Sequence, residues 1–579
     1  MNAPRANALV WLTRHRASAG AGIVLGLFLL LILLVAPLRE FPIEDDWDYA
    51  KTVWNLLQTG AFHRLEVTQA TVFFPAVWGA LFARLFGYSF ATLRVSTLAL
   101  AAGTLMFFYA LLGELGFDAP RRVLATLALM VTPVFVYLAF SFMTDIPFLF
   151  GYSGALYGYT RAVRRGDARW ALVGSALAAC AFLARQVGLL IPAAFGLFVL
   201  IRHVRRGPAP DPSPIQSGTG PARWREDWGA SLRWILAGCA IPLAAAGAYG
   251  LWTEFLGGAN WADRTRTFSG TLGFWLQPDF LGVLRRRLAI AVSTTGLYLL
   301  PLWLAGLASL GERLRLARAR LIGLGLSALV LAVTLAQLAL TDQWFPYLTD
   351  ILTRRGLRPY LSYFAYNMDA HRPLVFSLEA SAALTILAGL CGLGFCALII
   401  GRIRTPMPPE LALVYGATLL LALASLTFFT YFERYLLPLL PGLIILLLDA
   451  TRQVRFSARV GVVGFVIVAA CSTALMRDYF AWNEVKWDAG RALLAAGVPV
   501  EQIDGGYEWD GWYLYDASAA YIRAHDQPMT IDPWQYLLDP RYIFAFQPPP
   551  GYHVTRELPF ATPLRPGGVD RVLLLERGP

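Results

Sequence analysis

The stretch "FPIEDDWDYAKTVWNLLQTG", residues 41–60, puts Asp45, Asp46 and Asp48 within four residues, with Glu44 beside them. Adjacent carboxylates next to an apolar wall repel each other and lose hydration, which raises the pKa of one of them. That arrangement suits a general base or a cation site. It also suits a plain helix start, because Asp45 can cap a helix with Asp48 three residues on. A second acid, Asp145 in "SFMTDIPFLF", falls in a very short turn between two apolar runs. A charge there is costly unless it is paired or faces water. Thr144 or Asp145 can cap the following helix, with Pro147 in its first turn. Arg185 in "FLARQVGLL" interrupts another apolar hairpin, and Arg434 in "YFERYLLPLLP" sits between two more. Arg185 can pair a buried acid such as Asp145 or fork onto a phosphate. Arg434 can snorkel to an interface or hold a phosphate or lipid head group.

The chain that must position these groups has 579 residues, 57% of them hydrophobic and 15% charged. Its mean hydropathy is +0.52. Soluble domains carry roughly 25% charge, so this is a polytopic membrane protein of mainly α class. A net charge of +11 does not indicate nucleic acid, because the arginines fall in short loops between apolar runs. The five cysteines, Cys180, Cys239, Cys391, Cys396 and Cys471, lie in apolar segments with no metal or redox spacing.

About thirteen spans are predicted, at 19–38, 91–114, 121–141, 146–163, 170–184, 188–203, 231–254, 288–310, 321–341, 377–400, 410–430, 435–450 and 459–476. The short segment 72–87, broken by Pro75 and Arg84, is predicted to be interfacial or re-entrant. Basic residues concentrate in alternate short loops, which puts the N-terminus in the cytoplasm and the C-terminal part outside. On that reading residues 1–476 form the membrane domain, with a first outer loop at about 39–90. Residues 477–579 form a small extracytoplasmic α/β domain. The Pro/Gly/Ser-rich stretch 205–227 reads as a linker. From Asp46 on, Trp47, Ala50, Val53, Trp54 and Leu57 share one helical face, and Gly60 is a stop. An amphipathic helix on the outer membrane surface is therefore expected. The tail stretch "DGGYEWDGWYLYDAS", residues 504–518, has the Trp, Tyr and Asp that either stack on sugars or build a small core.

Taken together these residues resemble the polyprenyl-phosphate-sugar glycosyltransferases of the GT-C fold, such as protein O-mannosyltransferases and lipid A aminoarabinose transferases. The match is carried by "DDWDYAKTVWNLLQTG", the Pro-containing segment leading to "LFGYSFATLRVSTLAL", "MTDIPFLF", and "ERYLLPLLPGLIILLL". It covers residues 20–200 and 430–450; hydropathy alone matches the middle. The resemblance implies that Asp45 is the catalytic base, Asp46 its acidic neighbour and Tyr49 the tyrosine that follows. It implies that Asp145 is the second-loop carboxylate that orients acceptor or donor. Arg185 stands where many relatives carry a lysine, and Arg434 matches a late Arg-Tyr pair, so both are expected to bind substrate.

The implied activity is transfer of a sugar, with inversion, from a polyprenyl-phosphate donor to a hydroxyl of an envelope glycan, lipid or protein. It would take place on the outer face of a bacterial inner membrane. No cofactor is implied; a divalent cation at the acidic pair is possible, and no metal site is assigned. The pair is Asp-Asp where many relatives have Asp-Glu, Asp48 replaces an arginine, and a double proline is reduced to Phe74-Pro75. These departures leave sugar and acceptor open. A secondary transporter or lipid flippase is the competing reading, but it would place charges at mid-membrane within repeats. Here the acids lie just outside the spans, and no repeat is visible.

Overall fold

The computed structural model describes residues 3–206, 228–255, 261–306, isolated positions between 325 and 345, and 351–358, 361–362, 372–403, 406–452, 457–530 and 532–578. Residues 207–227 of the expected linker at 205–227, and most of the span at 321–341, lie outside the described residues. The expected multi-pass, mainly helical architecture with a small C-terminal α/β unit is present. Seven described helices are long and apolar enough to cross a membrane, or up to nine if two bent pairs each count as one span. The thirteen apolar runs do not all reach that length. The run at 170–184 is the 17-residue helix Ala168–Ala184. The run at 435–450 divides into a 3-10 turn, Glu433–Leu439, and the short helix Leu440–Ala450. The predicted span 121–141 bends by 69° between Ala119–Met130 and Pro133–Ala139, where Pro133 lacks the amide that would continue the helix.

A helical hairpin positions the second acid. Helices Asp145–Arg165 and Ala168–Ala184 run antiparallel through a turn in which Gly166 has φ +68°. They pack backbone to backbone at glycines. A Cβ on Gly151 would lie 2.6 Å from the Ala181 nitrogen, and one on Gly158 would lie 2.7 Å from the Gly174 nitrogen. Small residues let membrane helices approach this closely. The antiparallel arrangement brings Asp145, the first residue of one helix, beside Arg185, which caps the far end of the other.

The segment 72–87 forms the helix Phe73–Phe86, and the acidic stretch forms the helix Asp46–Thr59, closed by Gly60 at φ +70°. The expected apolar face of the latter is buried at its start, at Trp47, Ala50 and Val53, but Leu57 is only partly buried and Trp54 is 44% exposed. Its cover is protein rather than a membrane surface, because Trp47 packs against Tyr507, Tyr515 and Trp534 of the C-terminal unit.

That unit follows the helix Ala458–Ala495, which runs unbroken through the expected boundary at 476/477. Strands β1 (Leu352–Thr353) and β2 (Gly356–Leu357) pair as a small hairpin earlier in the chain. The C-terminal sheet holds β3 (Ile503–Asp504), β4 (Tyr542–Ala545), β5 (Tyr552–Ala561) and β6 (Val569–Arg577) in the order β3-β4-β6-β5. The β3–β4 pair is parallel and the others are antiparallel. The helix Tyr507–Ala524 follows β3 and contacts the surface helix Asp46–Thr59.

Candidate active site

Asp45 occupies the N-cap position of its helix without making the capping side-chain bond. Its carboxylate instead accepts from the Tyr507 hydroxyl at 3.0 Å and from Arg434 Nη1 at 3.3 Å. Its side chain is 23% exposed, whereas Asp46 and Asp48 are buried. The residue before it, Glu44, has φ +55°, a conformation that costs a non-glycine residue of order 1–3 kcal/mol and persists only where its surroundings hold it. Here they do. The Glu44 amide donates to Glu508 Oε1 at 3.3 Å, and the Glu44 carboxylate pairs with Arg358 at 2.5 Å. Arg358 directly follows strand β2, so two distant segments fix the turn that presents Asp45.

The two acids of the pair have different surroundings. Asp46 is fully enclosed, and its two oxygens accept the Phe142 amide at 2.7 Å and the Ile43 amide at 3.2 Å. Burial outweighs the Arg94 charge and these two bonds and pushes its pKa up to about 8. It ties the first-loop helix to the turn that carries Asp145. Asp48 accepts from Thr68 Oγ1 at 2.5 Å, and burial likewise raises it to about 8.

Asp145 is ion-paired with Arg185. One carboxylate oxygen, Oδ2, is buried with no hydrogen-bond partner among the described residues. The Arg185 guanidinium lies 5.5 Å from the centre of the Tyr435 ring, and Tyr435 adjoins Arg434 in sequence. Tyr49 is buried among these groups. Desolvation raises its pKa well above 10, Asp45 and Asp48 add to the rise, and Arg434 and Arg185 oppose it. The structure thus gathers Asp45, Tyr49, Asp145, Arg185 and Arg434 at one end of the helices and sets Asp46 behind them. Among the described residues no group of three or more His, Cys, Asp or Glu side chains has the geometry to hold a metal ion.

Tyr507 completes the cluster, and nothing in the sequence singled it out individually. The signal was present in the Trp/Tyr/Asp-rich stretch 504–518. Its side chains do both things such residues can do. Trp509 and Tyr515 are buried in the core, and Tyr507 reaches Asp45.

Residues 73–214 match the model of the dolichyl-phosphate-mannose-protein mannosyltransferase family. This match bears out the resemblance to GT-C glycosyltransferases over the segment holding Asp145 and Arg185. No curated protein matches the chain. Among solved structures, ArnT from Cupriavidus metallidurans bound to undecaprenyl phosphate is 16% identical with a TM-score of 0.40, covering 90% of this chain and 85% of that one. The oligosaccharyltransferase AglB from Archaeoglobus fulgidus, in complex with an inhibitory peptide and a dolichol-phosphate, is 13% identical with a TM-score of 0.35, covering 82% and 59% respectively.

Proposed function

We propose that this protein is an inverting membrane glycosyltransferase that moves a sugar from a polyprenyl-phosphate donor to a hydroxyl acceptor on the outer face of a bacterial inner membrane. The observation that carries the reading is the pairing of a partly exposed carboxylate, Asp45, with a second acid–arginine pair, Asp145–Arg185, around one tyrosine.

In the proposed reaction the acceptor oxygen attacks the anomeric carbon from the face opposite the phosphate, and its proton passes to Asp45. The bond from the anomeric carbon to the phosphate oxygen breaks, and its electron pair leaves on the polyprenyl phosphate. Arg185 and Arg434 stabilise that charge, a role suited to preorganised cations in a water-poor site. Asp145 orients Arg185 and the acceptor, Tyr49 contacts substrate between the two pairs, and Asp46 acts as a positioning residue. The acceptor is an envelope glycan, lipid or protein. This scheme uses no cofactor, and insensitivity of the rate to a chelator is its expected signature.

Sugar transfer from a synthetic polyprenyl-phosphate donor to envelope extracts, followed by mass spectrometry, tests the reading. Asp45→Asn is expected to abolish the new glycan mass at unchanged protein yield. Undiminished transfer would remove Asp45 from the role of base. Lipid movement across vesicles with no sugar transferred would favour a flippase instead.

A further inference from the structure

A cavity of about 1000 Å³ shares no lining residue with the cluster around Asp45. It lies between the first helix, Ala3–Val35, and the long helix Ala458–Ala495, and residues 559–563 of the C-terminal unit roof its mouth. One wall is apolar, from Leu27 to Val35. The facing wall is mostly apolar, with Phe465 and Val466 at its foot and Ala469, Ala470 and Ala474 between them and Arg477. The polar groups gather at the mouth, where Arg39 pairs with Glu484 and Arg477 has no hydrogen bond or ion pair among the described residues. The mouth therefore carries one uncompensated positive charge above an apolar trough.

We propose that this groove binds one anionic glycerophospholipid of the outer leaflet, with its phosphate on Arg477 and its acyl chains along the alanine floor. Length selects this occupant. From Phe465 to Arg477 the helix rises about 18 Å, at about 1.5 Å per residue. Half of a bilayer core of about 30 Å is about 15 Å. The trough thus matches the depth of one leaflet, whereas a long prenyl carrier would overhang it. The roof is rigid enough to hold a head group. Thr562 donates to Asp478 Oδ1 at 2.5 Å, and the fully buried Arg372 ties Asp478 to Asp570 of β6. A lipid seated here would touch both membrane helices and the C-terminal unit and would wedge them together.

Native mass spectrometry of the full chain in detergent, titrated with phosphatidylglycerol or phosphatidylethanolamine, tests this. The wild type is expected to retain one phosphatidylglycerol in preference to phosphatidylethanolamine. Arg477→Gln should weaken phosphatidylglycerol about fivefold, the worth of one basic residue at an anionic surface, and erase the preference. Ala470→Trp should abolish retention by filling the floor. Equal binding of the two lipids by the wild type, or unchanged retention in both variants, would overturn the proposal. Displacement by inorganic phosphate would reduce the site to an anion site, and displacement by less undecaprenyl phosphate would give it to the prenyl carrier; either result overturns it. The two variants are judged by lipid retention and not by sugar transfer, so this result stands apart from the glycosyltransferase reading. Should Ala470→Trp fail to fold, Arg477→Gln on the exposed rim decides alone.

Discussion

The Tyr507 hydroxyl donates to the Asp45 carboxylate at 3.0 Å, across 462 residues of sequence. The C-terminal unit therefore takes part in the cluster rather than merely sitting above it. Removing a hydrogen bond to a charged group costs about 2 kcal/mol, so Tyr507→Phe is expected to slow transfer about thirtyfold. Folding should be preserved, because the ring keeps its packing on Trp47 and Trp534. Steady-state transfer rates of the purified variant check this; wild-type rates would show that the contact is idle.

The Asp145–Arg185 pair joins two ends of one helical hairpin. Replacing Arg185 by Gln leaves a carboxylate that is 3% exposed without its charge partner. Loss of one partner of a buried pair costs about 3 kcal/mol or more. Thermal unfolding in detergent should therefore show Arg185→Gln well below the wild type, with the double variant Asp145→Asn/Arg185→Gln recovering part of the loss. If the double variant were as unstable as the sum of the singles, the two residues would not be acting as a pair.

Asp46 and Asp48 make stability depend on pH. Both have folded pKa values near 8 against an ordinary 3.8, raised by burial. The folded chain keeps these protons over a range where the unfolded chain has released them. Their contribution is complete below about pH 4 and is lost as pH rises through about 8. The unfolding midpoint should fall between pH 5 and 9, and Asp48→Asn should flatten that slope. A midpoint independent of pH in both proteins would contradict the buried, protonated state.

The hairpin's glycines give a fourth test. A Cβ on Gly151 would meet the backbone of Ala181 at 2.6 Å, where no flexible side chain can yield. Gly151→Leu must push the helices apart and so separate Asp145 from Arg185. We expect loss of transfer together with a lowered unfolding midpoint, whereas Gly26→Leu, at a position with open space around it, should be silent. Both are read in the same thermal and activity assays.

Much of this arrangement was legible in the chain. Charge placement and hydrophobic periodicity located the helix after Asp45, the start of its buried face and its Gly60 stop, since these depend on local chemistry, although Trp54 of that face is exposed. The partnership of Asp145 with Arg185 was already one of two readings, because a lone acid at a membrane edge needs a cation. The residue types alone could not say which of two adjacent carboxylates opens to the site; only the family resemblance assigned that place to Asp45. Asp45 and Asp46 have the same local propensity, and contacts remote in sequence separate them: the Phe142 amide on Asp46, and the Tyr507 hydroxyl and Arg434 on Asp45. Trp47 was likewise ambiguous, because a membrane interface and a protein cover demand the same amphipathic face. Tyr507 depends on a contact between chain ends, which no spacing rule encodes.

The helix Ala458–Ala495 has 38 residues, about 57 Å at about 1.5 Å per residue, nearly twice the hydrocarbon thickness of about 30 Å. It leaves the bilayer without a hinge and carries the sheet on a stiff post. The C-terminal unit is consequently not a tethered cap that can swing aside to admit a bulky acceptor. Acceptor entry therefore does not depend on the sheet moving, so a cross-link that freezes the sheet against this post should leave turnover intact.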